Sequence, residues 1–225
     1  MGASDYYRGL FPVQRTLKRG GARNRGDRLS TQLDRRQCER LLNVVATGLA
    51  SGQHFTRFAT IAWQKARVSA SDSVKATGAW ITLLREWLRK RDANLPWAWV
   101  QECGPVLGAH CHALIRIPPD LAPLLKNGLA VMARKVARDF GGMPCAGLFD
   151  SEKLPFADNP EHSPAAYEAA LWGKVHYMLK CAPAGLESEL DMLGRGHKPW
   201  GQSCPVKGKR LAVWQGYSGW RVLTP

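Results

Sequence analysis

The chain has 225 residues, of which 32 are Lys or Arg and 18 are Asp or Glu, so its formal net charge is +14. This length can bury one sizeable core, and we expect a single domain with appended segments. No apolar run is long enough to cross a bilayer and no secretory signal pattern is present, which predicts a soluble, cytoplasmic protein. The positive charge favours a polyanionic partner that is bound through its phosphates.

The N-terminal segment 15–28 is rich in Arg and Gly. It contains Arg19, Arg23 and Arg25, and it is typical of a basic arm that lies along a nucleic-acid backbone. The alternative is a solvated tail that only aids solubility. The segment has no amphipathic period, which disfavours binding to a membrane surface.

Apolar residues at helical spacing predict a helix over 30–50. We therefore expect residues 1–50 to form a basic arm and a helix, and residues 51–225 to form the main domain with a basic C-terminal segment.

The elements predicted after residue 50 alternate between strands and helices. In chain order they are a strand over 54–63, a helix over 74–91, a hairpin of strands over 97–103 and 109–117, a helix from Asp120 to about Phe140, a long loop over 143–163 and a helix from Ser163 to about Cys181. Residues 183–225 match no single pattern. Only three strands are identified, and further strands would have to come from the N-terminal and C-terminal thirds.

The six cysteines are scattered and include no Cys-x-x-Cys pair, which argues against a zinc finger or a disulfide framework. We expect free, mostly buried thiols. They are Cys38, Cys103, Cys111, Cys145, Cys181 and Cys204.

The predicted hairpin carries the first candidate site. His110 and His112 are two residues apart in a strand, so their side chains lie on the same face. If residues 104–108 form the loop, Glu102 lies directly opposite His110. One carboxylate and two imidazoles suit Mn²⁺ or Mg²⁺ acting on a phosphate, and could also hold Zn²⁺. A pair of half-buried structural histidines is the alternative.

The last predicted helix carries the second candidate site. Tyr177 and Lys180 are neighbours at positions i and i+3. A free tyrosine has a pKa near ~10, so a phenolate nucleophile needs a cation or base beside it. The alternative is a surface tyrosine with a solvated lysine. Tyr167 is almost three turns upstream, too far to be a partner, and His176 is expected to lie behind the site or in solvent.

These motifs, in this order in a basic chain, resemble those of the HUH endonucleases of rolling-circle replication. Phe55–Trp63 is similar to the first motif of that superfamily, His110-Cys111-His112 to its His-hydrophobic-His motif, and Tyr177–Lys180 to its nucleophilic motif. The segment Pro205–Arg210 resembles the basic stretch near the end of some phage and plasmid initiators. The resemblance spans residues 54–215, and its one departure is the cysteine between the histidines.

The resemblance implies an α+β fold with a central antiparallel sheet of about five strands, ferredoxin-like or RNA-recognition-like, flanked by helices. Residues 51–225 would be the HUH endonuclease domain. The His-x-His strand would lie in the centre of the sheet, and the tyrosine helix would pack against the site.

The resemblance also implies an activity. A divalent ion, Mn²⁺ or Mg²⁺, on Glu102, His110 and His112 would polarise a phosphate of single-stranded DNA, and Tyr177 would attack it to give a 5′-phosphotyrosine link. Lys180 would position the phosphate or stabilise the phenolate. Such nicking and joining initiates rolling-circle replication, and since the chain has no helicase P-loop, a host helicase and polymerase are the expected partners.

The expected DNA-binding side chains are all basic: Arg19, Arg23, Arg25, Arg57, Lys174, Lys207, Lys209 and Arg210. Two other functions share much of the pattern. A transposase or mobilisation relaxase of the same superfamily would have the same site, and a non-catalytic nucleic-acid-binding module could have a similar fold with a structural metal.

Overall fold

The computed structural model describes residues 28–190 and 204–216. Its helices are α1 (Arg35–Ala50), α2 (Ser73–Arg89), α3 (Gly128–Asp139), α4 (Pro164–Met178) and α5 (Ala184–Glu189). Its strands are β1 (Leu29–Ser30), β2 (Arg57–Ile61), β3 (Trp97–Gly104), β4 (Gly108–Ile115), β5 (Phe149–Lys153), β6 (Val206–Lys207) and β7 (Leu211–Val213). The predicted arm, with Arg19, Arg23 and Arg25, lies outside the described residues.

A five-stranded sheet in the order β5-β2-β4-β3-β7 organises the molecule, and all of its pairings are antiparallel. This confirms the predicted α+β class with a central antiparallel sheet flanked by helices. Strand β4, which carries both histidines of the His-x-His motif, is the middle strand.

The two faces of the sheet are covered by different helices. On one face, α1 and α4 pack over residues such as Phe58 and Val100. On the other face, α2 and α3 pack over Ala59, Cys111 and Ala113. Because side chains alternate along a strand, His110 and His112 lie on the face of α1 and α4, opposite Cys111.

Helix α1 belongs to the core of the sheet, since Leu41, Leu42 and Val45 are buried in the same cluster as Phe58. It begins later than predicted because Asp34 caps it in a capping box with Gln37. The residues before the cap instead form β1, which pairs with β6 and not with the central sheet.

Strand β5 lies where the sequence predicted a loop. Its residues, Phe-Asp-Ser-Glu-Lys, are polar and mostly poor strand formers, and it pairs only with β2 at the edge of the sheet. Polar and charged side chains are common on edge strands, where they hinder further pairing. The other strand that the sequence did not identify is β7, so in the described residues neither of the two additional strands of the sheet comes from the N-terminal third.

The expectation of free thiols is wrong for one pair of cysteines. Cys103 at the end of β3 is bonded to Cys204, 101 residues further along the chain, with the two Cα atoms 5.4 Å apart. The pairing of β7 with β3 brings the two segments together. Cys38, Cys111 and Cys181 are free and buried, and Cys145 is free and exposed. Within the described ranges, no helix has both the length and the apolar character needed to cross a membrane.

Candidate metal centre and nucleophile

The register of the β3–β4 hairpin sets the geometry of the site. Gly104 pairs with Gly108, and Glu102 therefore lies directly across from His110, as the sequence predicts. Gly108 has a φ of 61°, a left-handed conformation that favours glycine. The Gln64 side chain closes the hairpin from outside by accepting a hydrogen bond from the backbone N–H of Ala109, at 2.8 Å.

Glu102, His110 and His112 form a buried cluster whose potential ligand atoms all lie within 4.8 Å of one another. Glu102 Oε2 is 3.3 Å from Nε2 of His110 and 3.7 Å from Nε2 of His112. Ligands at right angles around an ion, each at about 2.1 Å, are about 3 Å apart. The three groups could therefore close around one ion with small adjustments.

Each imidazole is held by its other nitrogen. His110 Nδ1 donates to the carbonyl oxygen of Gly108 at 2.7 Å, and His112 Nδ1 lies 2.9 Å from the hydroxyl of Thr60. A neutral imidazole that is protonated on Nδ1 keeps the lone pair of its Nε2 for an ion. Such a partner on the second nitrogen orients a metal-binding histidine.

The protonation states suit metal binding. Burial by itself raises the pKa of Glu102, but its contacts with His110, His112 and the Lys180 ammonium outweigh it and lower the pKa to about 2. Burial lowers the pKa of His112 to about 3, and the charge of Lys180 acts in the same direction. At neutral pH the carboxylate is ionised and the His112 imidazole is neutral, as ligands must be.

An unsatisfied oxygen of Glu102 also supports metal binding by this cluster. Glu102 Oε1 is buried and has no hydrogen-bond partner among the described residues. A buried, unsatisfied carboxylate oxygen is unfavourable, and a bound cation would satisfy it. The cluster could therefore hold a metal ion, with one carboxylate and two imidazoles as ligands.

Tyr177 lies in the last turn of α4, directly beside this cluster. Its ring centroid is 4.9 Å from that of His112 and 6.2 Å from that of Phe58, with both rings nearly perpendicular to it. It is 43% exposed, so part of the side chain can be reached from solvent. The structure brings together the two candidate sites that the sequence places 67 residues apart, from His110 to Tyr177.

Lys180 follows the end of α4 and connects the two parts of the site. Its ammonium is 2.6 Å from Glu102 Oε2 and 3.4 Å from His112 Nε2. It also lies over the ring of Tyr177, 3.6 Å from the centroid. The sequence placed this ammonium beside the phenol, whereas here it lies over the ring face and pairs with a candidate ligand.

The basic side chains proposed for DNA binding lie on different elements and do not form one cluster in the described residues. Lys174 on α4 contacts Glu152, and Arg57 is half-buried on β2. Lys207 and Lys209 are exposed near the β1–β6 pair. Arg210 is only 1% exposed and donates to the carbonyl oxygen of Thr31, so its burial argues against a direct DNA contact.

Two further residues of α4, His176 and Tyr167, are buried. His176 is buried at 2% exposure and therefore does not lie in solvent. Tyr167 is buried and donates to the carbonyl oxygen of Phe55 at 2.8 Å, which gives it a structural role away from Tyr177. Sequence reasoning missed Thr60, because its partner His112 is set by the pairing of β2 with β4.

No protein-family model matches the chain, and neither the curated proteins nor the solved structures contain a match to it. The function of the protein is therefore inferred from the residues of the site and their geometry.

Proposed function

We propose that the protein is a metal-dependent endonuclease that nicks and rejoins single-stranded DNA through a 5′-phosphotyrosine intermediate. The observation that carries this proposal is the position of Tyr177, an exposed phenol with its ring 4.9 Å from a histidine of a buried Glu-His-His cluster. A nucleophile beside a set of candidate metal ligands is an arrangement suited to metal-assisted phosphoryl transfer through a covalent intermediate.

Tyr177 supplies the attacking atom. Its phenolic oxygen bonds to phosphorus and the bond from phosphorus to the 3′ oxygen breaks. The downstream fragment remains on the protein through its 5′ phosphate, and the upstream fragment leaves with a free 3′-hydroxyl. The proton that leaves the phenol is balanced by the one that the departing 3′ oxygen gains. Attack by a 3′-hydroxyl reverses the step, so joining needs no ATP.

Glu102, His110 and His112 would hold the divalent ion. The ion, Mn²⁺ or Mg²⁺, would polarise the scissile phosphate and stabilise the charge that develops on it. Thr60 and the Gly108 carbonyl keep both imidazoles turned towards Glu102. Lys180 would position the phosphate or stabilise the phenolate, since its ammonium is already in contact with the Tyr177 ring.

The charge of the chain supports a nucleic-acid substrate. The net charge of +14 favours phosphate contacts, and Lys174 lies on the same helix as Tyr177. Arg57 alternates with Phe58 along β2 and therefore lies on the opposite face of the sheet. The exposed Lys207 and Lys209 add positive charge near the β1–β6 pair.

The biological role that we favour is initiation of rolling-circle replication in the cytoplasm of a bacterial or phage-infected cell, with a host helicase and polymerase as partners. A transposase or mobilisation relaxase of the HUH type would use the same site. A nucleic-acid-binding module without catalysis is the remaining alternative, and only this last one predicts no covalent product.

The test is adduct formation on denaturing gels with labelled single-stranded DNA and Mn²⁺. The wild-type protein should form a covalent adduct, and Tyr177→Phe should form none while it still binds DNA. Tyr167→Phe, on the same helix, is the matched control and should retain the adduct. Failure of the wild-type protein to form an adduct with the flanking genomic strands would exclude the enzyme.

A further inference from the structure

A groove of about 650 Å³ opens beside Tyr177, on the same face of the sheet as the Glu-His-His cluster. We call it the α4 groove; its floor is formed by Phe58 and Thr60 of β2. Its rim is formed by Lys65, Leu107, Asp150, Gly173, Lys174 and Tyr177. The volume lies within the range of about 300–1,000 Å³ that is usual for small-ligand pockets.

The sheet register connects this groove to the candidate metal centre. Thr60 pairs with His112 on one side and with Asp150 on the other, so the three residues form a row across β4, β2 and β5. Residues paired in register lie on the same face, and adjacent strands are about 4.8 Å apart. Asp150 is therefore about 10 Å from His112 across the floor of the groove.

The charges around the groove are of both signs. Lys65 extends from the turn after β2, and Lys174 on α4 contacts Glu152 and lies 5.0 Å from the ring centroid of Phe58. Asp150 is exposed and makes no ion pair with any described residue. Two ammonium groups suit a phosphate, whereas a free carboxylate suits a group that donates hydrogen bonds.

Gly173 keeps the groove open. A Cβ atom added at Gly173 would meet no atom within 4 Å, so any larger side chain would extend into open space. Glycine inside a helix costs about 1 kcal/mol relative to alanine, which makes it a poor choice for helix stability alone. A larger side chain at this position would take up space in the groove.

We propose that the α4 groove binds the nucleotide that adjoins the scissile phosphate of single-stranded DNA. Lys65 and Lys174 contact its phosphate, and Asp150 accepts a hydrogen bond from the exocyclic amine of its base. Cytosine, adenine and guanine carry such an amine and thymine does not, so Asp150 is a specificity residue against thymine. This inference rests on the proposed function, since it assigns one subsite of the same DNA strand.

The first test measures binding of labelled oligo(dC) and oligo(dT) by fluorescence anisotropy. It uses the full chain with Tyr177→Phe, which stops cleavage. Adding Gly173→Leu should weaken binding of oligo(dC) about tenfold, because the side chain fills the groove. The control is Gly78→Leu on α2, a helical glycine whose Cβ would also meet nothing within 4 Å but which lies on the other face of the sheet. Both changes should leave the melting temperature unchanged or raised.

The second test concerns base preference. Asp150→Asn should reduce the preference for oligo(dC) over oligo(dT) about tenfold, since one charged hydrogen bond is lost. Asp139→Asn, on α3 and paired with Lys135, is the control and should leave the preference unchanged. An unchanged preference in Asp150→Asn would overturn the role of Asp150, and unchanged binding in Gly173→Leu would overturn the subsite.

The subsite and the chemistry can fail separately. If the wild-type protein forms an adduct and Gly173→Leu binds and reacts equally well, the subsite is wrong and the proposed function stands. If Gly173→Leu weakens binding but the wild-type protein forms no adduct, the subsite stands and the nuclease chemistry is wrong.

Discussion

Lys180 and Glu102 form a buried ion pair, with Nζ 2.6 Å from Oε2 and side-chain exposures of only 9% and 2%. The same oxygen faces Nε2 of His110 and of His112. An ammonium and a divalent cation cannot both lie against Oε2 at these distances, because they repel each other and compete for the same lone pairs. Metal binding should therefore require Lys180 to move away from Glu102, and the Tyr177 ring is already within its reach.

Replacing Lys180 with methionine should raise metal affinity and lower adduct formation. The substitution keeps most of the length of the side chain but removes the competing charge, so we expect Mn²⁺ to bind about tenfold more tightly, measured by titration calorimetry. Lys153→Met, which removes an exposed lysine paired with Asp158, is the control. Metal affinity that is unchanged or lower in Lys180→Met would show that Lys180 does not compete with the metal ion for Glu102.

Replacing Thr60 with valine should weaken metal binding without loss of the fold. Valine is a good strand former, but it cannot hold Nδ1 of His112, and loss of such a partner usually costs 10- to 100-fold in metal affinity. The readout is the rise in melting temperature on addition of Mn²⁺, which should be reduced in Thr60→Val and absent in His112→Ala. An undiminished rise in His112→Ala would indicate purely structural histidines.

Acidification should destabilise the metal-free protein. The pKa of His112 falls from 6.5 to about 3 on folding, so between these values the unfolded chain binds a proton that the folded protein does not. The pKa of Glu102 falls from 4.5 to about 2, which adds the same effect at lower pH. The free energy of unfolding should therefore decrease as pH falls below about 6.5.

This pH dependence can be measured by urea unfolding in EDTA at a series of pH values. The variant His112→Asn cannot titrate at this position, and its free energy of unfolding should change less between pH 6.5 and 4.5. The same slope in the wild-type protein and in His112→Asn would argue against a neutral, buried His112.

Replacing Gly108 with alanine should destabilise the protein by about 1–2 kcal/mol. Gly108 has a positive φ, and an added Cβ would collide with the Gln64 side chain that closes the hairpin. Urea unfolding measures the loss, and Gly78→Ala, in the open interior of α2, should be neutral or stabilising. Because the hairpin sets Glu102 opposite His110, metal affinity should fall in Gly108→Ala as well.

The ligand set could be predicted because its geometry is local. A short loop between two strands fixes which residues pair, and alternation along β4 places His110 and His112 on one side. The position of Tyr177 beside His112 could not be predicted from local sequence pattern, because it depends on how α4 packs on the sheet. The resemblance to the HUH endonucleases predicted that Tyr177 lies near the histidines, whereas helical periodicity alone did not.

Other parts of the site could not be predicted for physical reasons. Asp150 lies on a short, polar edge strand whose sequence resembles a loop, so its place beside Thr60 depends on tertiary pairing. The Cys103–Cys204 bond joins segments far apart in the chain. Arg210 belongs to a basic run that suggests a surface, yet its position between Thr31 and β3 buries it.

The central claim is that Tyr177 becomes covalently linked to DNA. The most direct measurement is mass spectrometry of peptides from the protein after incubation with single-stranded DNA and Mn²⁺, followed by nuclease and protease digestion. We expect a nucleotide attached through its 5′ phosphate to the peptide that contains Tyr177, and no such product in the presence of EDTA. A linkage at another residue, or no linked peptide when DNA is cleaved, would contradict it.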